Sequence, residues 1–149
     1  MDAEKFTKKS LEVIESCEKL AYEYNNQELT QAHLMYALVT VEDSLIAKLL
    51  TNMGINMDAF TGECEKLVAN RPKVSGGQLF TSPEFSKALI QAEKEAKQMG
   101  DDYISVEHIF LGLLEKADKD IKRVINAYGI TRGKFLEVLA NIRGNRKVE

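Results

Sequence analysis

Two histidines, two cysteines and one tight group of acids are the residues in this chain whose chemistry could reach beyond packing. His33 or His108 could act as general base for a nucleophile such as the Cys17 thiol. Their settings, Thr30-Gln-Ala-His33 and Ser105-Val-Glu-His108, place both rings in the first turn of a helix. There a ring nitrogen can bond the local backbone while the ring packs on a neighbouring helix. A metal site in a helical bundle wants Glu-x-x-His pairs on facing helices. Here Glu107 is adjacent to His108 and Ala32 to His33, and adjacent helical positions point about 100° apart. Cys17 and Cys64 lie 47 residues apart with no CxxC spacing, and each falls on an apolar stripe. They are expected to be small buried hydrophobes in a reducing, cytoplasmic setting.

The two histidines are equivalent because the chain contains its own sequence twice, at a constant offset of 75 residues. Thr30-Gln-Ala-His-Leu-Met-Tyr-Ala-Leu38 matches Ser105-Val-Glu-His-Ile-Phe-Leu-Gly-Leu113, and Asn52-Met-Gly-Ile55 matches Ala127-Tyr-Gly-Ile130. Glu18/Glu93, Ala21/Ala96, Asp43/Asp118, Ile46/Ile121 and Phe60/Phe135 keep the same offset. A repeated unit of this size is a supersecondary module that shares its core with its copy.

Helix signals recur in the same order in each unit. Thr7, Thr30, Asp43-Ser44 and Asn56 open four helices in the first; Ser82-Pro83, Ser105, Asp118 and Thr131 open four in the second. Asn25-Asn26, Gly54, Gly100 and Gly129 close helices. No segment reads as a strand. The expected fold is all-α: two pseudo-symmetric four-helix repeats, at about 6–70 and 84–145, with residues 71–83 of linker composition between them.

Composition narrows the function classes. Apolar residues make up 44%, the ordinary globular range. No apolar run approaches the ~18 residues of a membrane span. Residues 1–74 hold 8 basic and 12 acidic side chains (net −4), and residues 75–149 hold 12 and 11 (net +1). No basic stripe with interleaved aromatics emerges, and Arg143, Arg146 and Lys147 read as a short terminal cluster, so neither nucleic acid nor membrane is an expected partner.

Asp101, Asp102 and Glu107 surround Tyr103 and Ile104 between the first two helices of the second unit. A solvated turn with capping acids accounts for them. Yet their counterparts Asn26, Gln27 and Ala32 are uncharged, and a structural role shared by both repeats does not require acids in one alone. Recognition of unfolded chains needs exposed apolar side chains. Phe6, Leu79, Phe80, Tyr103 and Ile104, in loops or at helix starts, are candidates, with burial as the alternative for each. Of the methionines that could add a plastic surface, Met35 and Met53 fall on core-facing stripes.

Phe6-Thr-Lys-Lys-Ser-Leu11, Asn25-Asn-Gln-Glu-Leu-Thr-Gln-Ala-His33 and Gly100-Asp-Asp-Tyr-Ile-Ser-Val-Glu-His108, in order and in duplicate, resemble the N-terminal Clp repeat domain of the Clp/heat-shock AAA+ unfoldases. Gln78-Leu-Phe-Thr-Ser82 resembles the ClpB-type disaggregases most closely, and the likeness covers residues 4–145. It implies a domain that binds apolar segments of unfolded or aggregated polypeptide and passes them to an ATP-driven motor. It also implies client contacts at Thr7, Asp101 and Glu107. The alternative it carries is docking of a folded adaptor protein, as in ClpC or ClpA. The sequence contains no GxxxxGK[ST] phosphate loop; Gly129-Ile-Thr-Arg-Gly-Lys134 has the wrong spacing. By resemblance, ATP and Mg²⁺ belong to AAA+ modules outside this segment, which is then an excised, monomeric domain of a homohexameric protein. No cofactor, metal or catalytic residue is expected within it.

Overall fold

The computed structural model describes residues 2–144, so the expected end of the second repeat at 145, Arg146 and Lys147 lie outside the described residues. The helices are α1 (Lys8–Glu23), α2 (Gln31–Thr40), α3 (Leu45–Asn52) and α4 (Met57–Ala69), then α5 (Pro83–Gln98), α6 (Val106–Glu115), α7 (Lys119–Ala127) and α8 (Arg132–Arg143). The all-α architecture in two four-helix repeats is as the sequence indicates. Hydroxyl, amide or carboxyl caps open them: Thr7 Oγ1 accepts from the Ser10 N–H, Asn56 Oδ1 from Ala59, Ser82 Oγ from Phe85 and Thr131 Oγ1 from Lys134. The third helices break the register by one residue. Ser44 caps α3, while Asp118, the counterpart of Asp43, caps α7. Asn25 and Gly100 both take positive φ (56° and 72°), the left-handed turn that ends the first helix of each repeat.

The two second helices form the centre. In α2, eight of the ten residues are buried, and in α6 eight of ten, so both are covered on nearly every side. Around them a single apolar core runs through both repeats, from Val13 and Cys17 in α1 to Phe135 and Leu139 in α8. Phe110 and Phe135 stack at 4.5 Å, and Phe60 meets Tyr128 of the other repeat edge-on at 5.1 Å. Gly112 lets α6 lie directly on α5: a Cβ there would sit 2.3 Å from the Ala88 carbonyl oxygen and 3.0 Å from the Ala92 nitrogen.

Short β-pairings, absent from the sequence expectation, tie the repeats together. The two-residue strands β1 (Glu28–Leu29) and β2 (Phe80–Thr81) run parallel, with Leu29 opposite Thr81. A parallel bridge also joins Phe6 to Ile104. At the repeat offset Phe6 matches Thr81 and Leu29 matches Ile104, so the same contact is made twice, each time between repeats. The Thr7 N–H donates to the Ile104 carbonyl (3.0 Å), and the Ser82 N–H to that of Leu29 (2.8 Å). Each repeat thus holds the leader of the other's first helix. Gln31, fully buried at the start of α2, adds a second lock: its Nε2 donates to the carbonyls of Glu84 and Lys116 (3.0 and 2.8 Å), and its Oε1 accepts from the Asp118 N–H (2.8 Å).

The close α5–α6 approach makes an asymmetric prediction about equivalent positions. Gly112→Ala drives a methyl into backbone that no rotamer change can clear, and a loss of about 3 kcal/mol or more is expected. Ala37→Gly at the matching site of α2 should cost nearer 1 kcal/mol. Urea unfolding of the two variants measures both.

Candidate functional site

The histidines resolve first. The Thr30 N–H donates to His33 Nδ1 (3.0 Å) and the Ser105 N–H to His108 Nδ1 (2.9 Å), so each ring closes the N-terminus of a central helix. With Nδ1 accepting, Nε2 carries the proton. It donates to Asn26 Oδ1 from His33 (2.8 Å) and to Asp101 Oδ2 from His108 (2.7 Å). Asn26 and Asp101 are themselves equivalent, so the whole device is duplicated. Ser105 Oγ lies 3.1 Å from His108 Nδ1, which gives the group the outline of a Ser–His–Asp triad. Its chemistry is different. The hydroxyl donates to Glu107 rather than to the ring, Nδ1 is occupied by a backbone amide, and all members are buried. Cys17 and Cys64 are buried as well; burial pushes the Cys17 thiol far up and that of Cys64 up to about 12, so both stay protonated. Among the described residues no group of three or more His, Cys, Asp or Glu side chains could hold a metal ion.

Asp101 and Glu107, the acids of the turn before α6 and of its first turn, lie inside rather than in solvent. Asp101 accepts from His108 and also from Arg143 of α8, and its side chain is fully covered. Glu107 accepts from Ser105 and is 6% exposed. These two acids, confined to one repeat, are therefore framework residues and no client-facing surface: Asp101 does in the second repeat what Asn26 does in the first. Its added charge is matched by Arg143, while Asn26 instead donates Nδ2 to the Pro72 carbonyl (3.2 Å). Arg143 is likewise no solvated terminal charge; its side chain is 12% exposed.

The apolar candidates divide. Phe6 (7% exposed) and Ile104 (2%) are core residues, facing each other across the inter-repeat bridge, so they present no apolar surface. Thr7 is half-buried, and its hydroxyl joins a chain through Ser10 Oγ (3.0 Å) to the Ile104 carbonyl (2.9 Å). Leu79 packs partly against the core. Phe80 (51%) and Tyr103 (40%) are open to solvent. The fold thus gathers Phe6, Thr7, Asp101, Tyr103, Ile104 and Glu107 around one turn and leaves Phe80 apart, beside the first repeat. Met35 is buried and Met53 partly so, as their stripes indicated.

One apolar depression lies outside the residues the sequence singles out: a groove of about 520 Å³ along α5, lined by Thr81, Phe85, Ser86, Leu89, Ile90 and Glu93. Ile90 stands half exposed, at 50%. The sequence did hold a signal. Phe85, Ala88, Leu89, Ala92 and Ala96 make the buried stripe, and Ile90 is a large apolar residue out of phase with it. One end of the groove is marked by an exposed ion pair, Lys5 Nζ to Glu93 (2.7 Å).

A duplicated all-α module, with two buried histidine caps and an apolar groove on one repeat, is the class these features define. Residues 5–128 match the family model of the Clp repeat (R) N-terminal domain, and the chain belongs to that family. It is 38% identical over 154 residues to the chaperone protein ClpB of Clostridium tetani, aligning over 100% of this chain but only 18% of that protein. In fold it resembles the Hsp104 N-terminal domain from Candida albicans (TM-score 0.85, 20% identity, 97% of this chain and 95% of that one). It also resembles the ClpV N-domain solved as a complex with a VipB peptide (TM-score 0.74, 18% identity, 95% and 88%).

Two predictions follow from the caps. Asp101→Ala strips acceptors from buried His108 and Arg143 and should cost about 3–5 kcal/mol in urea unfolding; Asp101→Asn, which restores the first-repeat pattern at the ring, should cost clearly less. The pH response concerns His33, whose pKa is lowered to about 4 by burial and by Arg71. The folded state then binds fewer protons than the unfolded chain, so the stability this histidine contributes is complete above its ordinary pKa of about 6.5 and is lost as pH falls toward 4. The loss is up to about 3 kcal/mol, measurable as a slope that His33→Gln flattens.

Proposed function

We propose that this chain is the substrate-recognition domain of a ClpB-type disaggregase, binding exposed apolar segments of unfolded or aggregated polypeptide for delivery to an ATP-driven unfoldase. The observation that carries this reading is the α5 groove, where half-exposed Ile90 lines the same depression as Phe85 and Leu89. Apolar surface held open in this way gains free energy by covering itself with apolar side chains of a partner. Family membership and the likeness to ClpB supply the context, and the ClpV N-domain solved with a VipB peptide is a relative of the same fold that takes a peptide. Binding is weak and without strict sequence preference, which suits release to a motor. ATP and Mg²⁺ act in modules of the motor, in the cytoplasm, and the assembled protein is a homohexamer.

Phe80 and Tyr103 are the sequence candidates whose side chains can touch a client directly; Thr7, Asp101 and Glu107 shape the adjoining turn. Two-dimensional NMR titration with reduced, carboxymethylated α-lactalbumin, a permanently unfolded client, tests the assignment. Shifts should concentrate on residues 80–93. Ile90→Ser should weaken binding about tenfold or more with the unfolding midpoint unchanged, because Ile90 lies off the buried stripe of α5. Shifts produced only by one folded protein would move the assignment to adaptor docking.

A further inference from the structure

The backbone of β2 is used on one side only. The Phe80 N–H donates to the Gln27 carbonyl (3.0 Å) and the Ser82 N–H to that of Leu29 (2.8 Å). Alternate residues of a strand point their backbone groups to opposite edges. The N–H and C=O of Thr81, between them, therefore face away from β1, and neither makes a hydrogen bond within the described residues. Thr81 is exposed and is also a wall of the α5 groove.

The duplication supplies an internal control. The counterpart of Thr81 is Phe6, whose N–H is satisfied by the carbonyl of Ala3 (3.2 Å) in a short 3-10 turn, Ala3–Lys5. In the first repeat, then, the group that closes this edge is polypeptide backbone from the chain itself. The surface beside it differs too. Phe85, Leu89 and Ile90 correspond to Ser10, Ile14 and Glu15 at the repeat offset, so the first repeat lacks the apolar floor. Open edge and apolar floor coincide only in the second repeat.

Resting on the function proposed above, we infer that an extended client segment adds to the outer edge of β2, pairing its backbone with the Thr81 N–H and C=O and laying alternate apolar side chains on Phe85, Leu89 and Ile90. Strand addition of this kind takes affinity from backbone that every sequence shares and selects only for alternating apolar side chains. The groove runs from Phe85 to Glu93 along α5, about 12 Å, which is the length of about four extended residues.

The test uses a peptide of about eight residues alternating leucine and serine between terminal lysines, long enough to span the groove. Two further versions are N-methylated, one at every leucine amide and one at every serine amide. All leucine amides of an extended peptide face one edge and all serine amides the other, so one version should lose binding about tenfold or more and the other retain it. Thr81→Pro removes an N–H the fold does not use and should weaken the unmodified peptide similarly. Equal binding of both methylated peptides, within about twofold of the unmodified one, would overturn the pairing while leaving the groove as the client site. Failure of the unmodified peptide to bind at all would remove the proposed function and this inference together. The methylated peptides need no variant, so the result stands even if Thr81→Pro does not fold.

Discussion

Two helices that are buried on nearly all sides must begin inside the protein, and a helix start exposes backbone N–H groups with no partner in the helix. That constraint organises the molecule. At the head of α2 and again of α6, a histidine three residues in accepts from the N-cap amide, and its other nitrogen needs a buried acceptor, supplied by Asn26 or Asp101. Those acceptors sit on the turns between first and second helices, so the turns are drawn inward. The residues that follow, Glu28 and Leu29 in one repeat and Ile104 in the other, then meet the leader segments of the opposite repeat. Replacing a backbone-bonded ring by an apolar residue would leave donors unpaired in a dry interior, which costs more than a well-made bond gains.

The reciprocal leaders explain why the duplication yields one body. Each first helix is started by its own cap but anchored by the other repeat, and Gln31 spans from α2 to the first turn of α5 and to the connection between α6 and α7. The copies have diverged where partners differ. Asp101 replaces Asn26 where α8 brings Arg143, and Glu95, buried in α5, is answered by Arg132 at 2.6 and 3.0 Å. Burial pushes the Glu95 carboxyl up, but the hydrogen bonds from Arg132 and Gln91 outweigh it and hold the group below its ordinary value. Divergence at the surface is of another kind. The apolar floor under Ile90 has no counterpart in the first repeat, and no packing requirement explains it, because Ile90 lies off the buried stripe.

Much of this was legible from residue order. Caps, left-handed turns and apolar stripes depend on neighbours within a few positions, so Thr7, Ser82, Asn25 and Gly129 announced their roles, and the constant offset announced the symmetry. The structural role of the histidines also followed, since duplicated framework positions seldom make two active sites. Burial at the turns was not legible. Phe6 and Ile104 sit in segments with no period to read, and a two-residue strand is too short to show alternation. Asp101 looked like surface because its cation, Arg143, is 42 residues away; the polar groups that bury it come from another helix.

The sequence by itself therefore determined the all-α class, the two four-helix units, the positions of their ends and the likeness to the Clp repeat domains, because each rests on local chemistry or on comparison of the chain with itself. Only the tertiary structure decided which acids are buried, how the leaders are exchanged, and where apolar surface and unpaired backbone coincide at Thr81 and Ile90. Those outcomes depend on contacts between residues tens of positions apart, and their energies are set by what the opposite repeat places there.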